Sequence, residues 1–114
     1  MDLKALQRIV DAGESETVEF KKSTAQLSRA GETLCGFLNG RGGRVLIGVT
    51  PAGKVVGQQV ADKTQQEIAA MLQRFEPPPP VETQVVKLLG GDRKVIAAGR
   101  GRGARYWLRR ARDE

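Results

Sequence analysis

The sequence predicts an α+β fold: a single domain over residues 1–114, with a mixed or antiparallel sheet of about five to six short strands and about two to three packed helices. Three observations predict it. A chain of 114 residues has room for one core and too little for a second. Its hydrophobic share of 39% is enough for a packed globule and too high for a disordered chain. Its 14 glycines and 5 prolines require many turns, which suits short strands better than a helical bundle.

Taken in order, Leu3, Leu6, Ile9 and Val10 recur at helical spacing and predict a short amphipathic helix over 2–11, ended by Gly13. Thr17 to Phe20 alternates polar and apolar residues and predicts a short strand. A second helix is expected from Ala25 to Leu38. Its apolar side carries Leu27, Ala30, Leu34, Phe37 and Leu38, with Cys35 nearby, and Asn39-Gly40 closes it. Arg44 to Val49 is a compact apolar run with little alternation, the pattern of a strand covered on both faces. Pro51 to Lys54 makes a tight turn, so Lys54 to Gly57 is expected to return as the second arm of a hairpin. Asp62 is expected to cap a third helix from Lys63 to Phe75, with Ile68, Met71, Leu72 and Phe75 inward. The run Pro77-Pro78-Pro79-Pro80 cannot be helical and stiffens an extended connection into the next strand. Val81 to Leu89 and Lys94 to Ala98 flank Gly90-Gly91-Asp92-Arg93 and read as a hairpin. Ala104 to Arg110 is the expected final strand.

Composition excludes several classes of function. There is one cysteine, Cys35, and no histidine. An intramolecular disulfide framework and a Cys/His zinc site are both excluded, and Cys35 reads as a buried small hydrophobe. No apolar stretch approaches the roughly 20 residues that cross a bilayer. Met1-Asp2-Leu3-Lys4 lacks the basic-then-apolar order of a signal peptide, so the expected location is the cytoplasm.

Charge is distributed unevenly. Residues 1–92 hold 11 basic and 11 acidic side chains, whereas residues 93–114 hold 8 basic and 2 acidic ones. The whole net charge of +6 therefore lies in the last 22 positions. A field focused in this way attracts polyanions, and nucleic acid is the commonest inside a cell. The alternative is a solvated tail with no partner. Tyr106, Trp107 and Leu108 within the basic run favour a packed segment.

Two local patterns carry a family resemblance. One is Glu14-Ser15-Glu16-Thr17-Val18-Glu19-Phe20-Lys21. The other runs from Leu34 through Asn39-Gly40-Arg41-Gly42-Gly43-Arg44 to Val49, followed by Gly53-Lys54-Val55-Val56-Gly57. In order and spacing they resemble the signatures of the Schlafen-type AlbA-like DNA-binding domain, most clearly over residues 13–57. That resemblance implies DNA binding and the N-terminal domain of a bacterial transcriptional regulator. Some Schlafen members are endoribonucleases that use acidic residues and a divalent metal.

The acidic motif supplies the catalytic candidates. Glu14 and Glu19 lie five residues apart across a loop-to-strand transition, near enough for their carboxylates to converge on one cation. Mg²⁺ takes such oxygen ligands, and metal-assisted phosphodiester hydrolysis would then be feasible. By resemblance these positions match two glutamates of the nuclease-active members. The third acidic position of that pattern is Thr50 here, which argues against catalysis. In the plainer reading, Glu19 and Lys21 project to the same side of a strand as an ion pair, and Glu14 pairs with an arginine.

The glycine motif, Asn39 to Arg44, can present backbone N–H groups to phosphate or can simply cap a helix and turn into a strand. It is not a nucleotide-binding loop, because it precedes a strand and lacks the Gly-Lys-Ser/Thr ending. The candidate phosphate contacts are Lys21, Lys22, Arg41, Arg44, Arg100, Arg102, Arg105, Arg109 and Arg110. Tyr106 or Trp107 could stack on a single-stranded base. At strand spacing one of them faces the core, and Trp107 is favoured for that place.

The sequence thus points to a nucleic-acid-binding domain that grips the phosphate backbone, with DNA favoured over RNA and no cofactor. The alternative is an endoribonuclease using Mg²⁺ or Mn²⁺ on Glu14 and Glu19. A further alternative is a homo-oligomerisation or partner-binding domain without a nucleic-acid role.

Overall fold

In the computed structural model, residues 1–100 and 105–110 are described, Arg100 through its backbone alone. The predicted Arg102, and the arginine-glycine segment around it, lie outside the described residues.

Asp2 starts the first helix as its N-cap, accepting the Ala5 N–H at 2.8 Å. Helix α1 (Leu3–Ala12) ends at Gly13, whose φ of 82° is open to glycine at little cost. Strand β1 (Val18–Lys21) follows, then a 3₁₀ turn at Thr24–Gln26 and helix α2 (Leu27–Asn39). The buried residues of α2 are Ala30, Gly31, Leu34 and Leu38, the face expected from their spacing.

Strand β2 (Gly43–Ile47) pairs parallel with β1, Val18 against Arg44 and Lys21 against Ile47. Strand β5 (Lys94–Arg100) takes the other edge of β2, antiparallel, and β4 (Glu82–Lys87) pairs with β5 in turn. The sheet order is β1-β2-β5-β4. The returning arm expected at Lys54 to Gly57 is not a strand. It makes one bridge, Val49 to Val55, and the N–H groups of Val56 and Gly57 both donate to Gly48 O. With β1 and β5 on its two edges, β2 offers that arm nothing to pair with.

Helix α3 (Asp62–Leu72) departs from expectation at both ends. Asp62 is its first residue and not its cap. Ala61 holds the cap position without a side-chain acceptor, and Thr64 Oγ1 accepts the Ala61 N–H at 3.1 Å. Phe75 has left the helix for β3 (Phe75–Glu76), which pairs antiparallel with β6 (Trp107–Leu108) in a separate two-stranded ribbon. The proline run then leads from β3 into β4.

Successive residues of the central strands alternate between two core clusters. Val45, Ile47, Ile96 and Ala98 pack with Leu34 and Leu38 of α2 and with Ile68 and Met71 of α3. Leu46, Val95, Ala97 and Val86 pack with Leu6 and Val10 of α1 and with Phe20. Helices on both faces explain why the sequence around β2 reads as one apolar run. The structure is a mixed α+β sheet with α1 on one side and α2 and α3 on the other, plus the β3–β6 ribbon.

Candidate nucleic-acid interface

The site is built at the end of the sheet where β2 begins. Helix α2 stops at Asn39, and both Gly40 N and Gly42 N turn back to Phe37 O, at 3.1 and 2.7 Å. Arg44 N is bound to Thr17 O at 2.9 Å. These amides close the helix and start the strand, so they are not offered to phosphate. Gly43 is required by space: a Cβ there would sit 2.6 Å from Thr17 O and 2.8 Å from the Phe37 ring.

What the loop offers is side-chain charge. Arg41 and Arg44 are both exposed and line an open cleft of about 930 Å³, together with Gly42, Gly43, Gln84 and Gly99. The cleft lies on the face covered by α1, whose Ile9 lines it with Met1 and with Glu82 of β4, and Arg44 shares that side of β2 with buried Leu46. Arg41 pairs with Glu16 at 2.9 Å, but both side chains are more than three-quarters exposed, at 76% and 81%. Such a pair contributes little to stability and exchanges readily for phosphate. The backbone of Arg100 lies opposite Gly43 on β5, at the same end of the sheet.

Arg105 is brought to this end by a contact that sequence reasoning missed. Asn39 grips the backbone of Tyr106 from both sides: Asn39 Nδ2 donates to Tyr106 O at 2.9 Å, and Tyr106 N donates to Asn39 Oδ1 at 2.7 Å. An amide side chain has one donor end and one acceptor end, which fits a strand backbone. Cys35 adds an S–H contact to Tyr106 O at 3.6 Å. Burial pushes the Cys35 thiol above its ordinary value.

Tyr106 is the core aromatic, 6% exposed, and Trp107 is 62% exposed. This reverses the expected assignment. The clamp on Tyr106 and the pairing of Phe75 with Leu108 fix the phase of the strand, and that phase turns Trp107 outward.

The remaining candidates are dispersed. Lys21 and Lys22 lie at the far end of β1 from the Arg44 register position, and Lys21 pairs with Glu19 at 3.2 Å. Arg109 is held by Glu76 at 3.2 Å, and its guanidinium also donates to Gln73 O and Arg74 O. Arg110 is exposed.

Glu14 and Glu19 each have a partner within the chain. Glu14 Oε2 accepts the Phe20 N–H at 2.9 Å on the outer edge of β1, where an unpaired amide would invite another strand. Glu19 accepts the Thr33 hydroxyl at 2.6 Å besides pairing with Lys21. Thr50 serves a turn, its Oγ1 accepting the Lys54 N–H at 3.1 Å. Among the described residues no group of three or more His, Cys, Asp or Glu could hold a metal ion. Nor is any helix there long and apolar enough to cross a membrane.

The model of the family described as Schlafen, AlbA_2 matches residues 14–107. No curated protein matches the chain.

Proposed function

The chain belongs to the Schlafen AlbA_2 family, which is associated with nucleic-acid binding, and we propose from this that it grips DNA through phosphate contacts centred on Arg41, Arg44 and Arg105. One observation carries the siting: two exposed arginines line an open cleft at the sheet end to which the Asn39 clamp ties Arg105. A role within a transcriptional regulator follows the resemblance of the Glu14–Lys21 and Leu34–Gly57 patterns. Reading of base sequence is not part of the proposal, since guanidinium contacts to phosphate position a duplex without identifying it.

The test is the dependence of affinity on salt. A grip by Arg41, Arg44 and Arg105 corresponds to a log–log slope of about −2.7 on duplex DNA, steeper if further arginines take part. Arg44→Ala and Arg105→Ala should each weaken binding to all sequences alike and flatten that slope by about 0.9. Affinity that stays level from about 50 to 200 mM salt would refute the proposal. The endoribonuclease reading requires Glu14 and Glu19 to leave the partners described above, and it would show as Mg²⁺- or Mn²⁺-dependent RNA cleavage abolished by Glu19→Ala.

Self-association has an observation of its own. Strand β4 ends the sheet, and Leu88 N donates to Arg93 O, so alternation turns the backbone groups of Thr83, Val85 and Lys87 outward. Those positions are symmetric about Val85, itself 43% exposed, so a second copy could pair antiparallel there. Sedimentation that stays monomeric at high concentration would remove this reading.

A further inference from the structure

Trp107 stands out on the ribbon because the segment that presents it is held so firmly. The largest apolar side chain in the chain points to solvent, on a strand whose neighbouring residues are all anchored. Before it, Tyr106 is buried and its backbone is bound through both N–H and C=O by Asn39. After it, Leu108 lies against the Met71 side of α2 near Gly31, and Arg109 N donates to Arg74 O at 2.8 Å. Arg74 Nε donates in return to Arg109 O at 2.7 Å. Across the ribbon, Glu76 pairs with Trp107 itself. An exposed tryptophan on a frayed end would need no explanation. Here the backbone that carries the indole is fixed, so little backbone freedom remains to be lost when something stacks on it.

The surroundings say what that would be. Strand alternation puts Arg105 on the same side as Trp107, about 7 Å away, and Arg105 is exposed with no ion-pair partner among the described residues. Arg109 has the same phase on the other side, but its guanidinium is turned to Glu76 and the carbonyls of Gln73 and Arg74. The platform is therefore open towards Arg105. An aromatic face beside a free guanidinium matches a base and its neighbouring phosphate. Duplex DNA keeps its base faces stacked on one another and cannot supply one, whereas an unpaired nucleotide can.

We propose that Trp107 is a stacking platform for an unpaired base of single-stranded nucleic acid, with Arg105 on the adjoining phosphate. The inference rests on the nucleic-acid reading above and adds a substrate class to it: strands with bases exposed, whether DNA or RNA. It places the stacking contact on the β3–β6 ribbon, outside the cleft lined by Arg41 and Arg44, with Arg105 serving phosphate in both duplex and single-strand binding.

Trp107 is the single tryptophan of the chain, so its fluorescence reports the contact directly. Intact protein is titrated at low salt with an oligothymidylate, an oligouridylate and a duplex of equal length. Binding of either single strand should quench Trp107. Trp107→Ala should weaken single-strand binding between about 5-fold and 100-fold, and Trp107→Phe much less. Duplex affinity should be unchanged in both variants, and their thermal melts should match the parent because the side chain is exposed. Single-strand binding that neither quenches the indole nor responds to Trp107→Ala overturns the inference and leaves phosphate binding at the cleft standing. An equal loss for duplex and single strand overturns it too. Absence of binding to every probe refutes the nucleic-acid reading itself, and this inference with it.

Discussion

Replacing Asn39 by alanine removes the side chain that joins the end of α2 to β6. Two hydrogen bonds disappear, of 2.7 and 2.9 Å, leaving the Tyr106 N–H unpaired and its C=O with only the weak Cys35 S–H contact, in a half-buried setting. An unsatisfied backbone group costs about 1–3 kcal/mol. Asn39 is exposed, so water can reach part of the gap, and the lower half of that range applies. The expected loss is about 2–3 kcal/mol, a sizeable share of the stability of a domain this small. It should appear as a fall in Tm of roughly 10 °C. Asn39→Asp is the sharper probe, because a carboxylate still accepts from Tyr106 N but turns an unprotonated oxygen towards Tyr106 O. Its loss should equal or exceed that of the alanine variant at pH 7 and shrink as the carboxylate takes up a proton in acid. Circular dichroism against urea measures the stability. Trp107 anisotropy measures the ribbon, which should gain motion in both variants. If both lie within about 0.5 kcal/mol of the parent with anisotropy unchanged, the clamp does not hold β6 and the placement of Arg105 loses its basis.

Gly99→Ala tests the close approach of β2 and β5. A Cβ at Gly99 would lie 2.6 Å from Arg44 Cα and closer still to Gly43 O, both backbone atoms that cannot step aside. Urea denaturation should show about 3 kcal/mol of destabilisation or failure to fold, and a neutral result would contradict this strand register. Cys35 gives a pH dependence. Burial raises its thiol above the ordinary value, so the folded chain holds the proton longer than the unfolded one. The contribution is complete below about pH 9 and is lost as pH rises above it. Alkylation of native protein at pH 8 should therefore be slow, and Cys35→Ser should flatten the alkaline limb of the stability curve.

How far the sequence discloses this depends on whether the deciding contact is local. The inner faces of α1 and α2 follow from the spacing of Leu6 with Val10 and of Ala30 with Leu34, because helical period is a property of neighbours. The two-sided burial of Val45 to Ile47 is legible for the same reason. The Glu19–Lys21 pair is legible from strand alternation. The partners of the strands are not, since β2 meets β5 across half the chain. Asn39 reads locally as a helix terminus, and its real work is on a residue 67 positions later. Alternation around Tyr106 and Trp107 says that one faces inward but not which. The spacing of Glu14 and Glu19 suggests convergence, and the edge amide of Phe20 takes one of them first.

The basic C-terminal segment also separates two effects that a charge count merges. Arg93 donates to Val56 O and Gly57 O at 2.8 and 2.7 Å, Lys94 to Asp92 O at 3.2 Å, and Arg109 anchors β3. These side chains have structural work, yet a guanidinium bound to a neutral carbonyl keeps its charge. On the nucleic-acid reading Arg93 and Lys94 still add to the long-range field that would draw a polyanion in. Arg109 contributes less, being paired with a carboxylate. The rate of association should accordingly follow the whole basic segment, while the salt slope counts only the arginines that reach phosphate. On the proposed reading Arg44 and Arg105 belong to the second group, because no carboxylate among the described residues pairs with them. Arg41 joins them once phosphate replaces Glu16, and that exchange is easy because the pair is exposed.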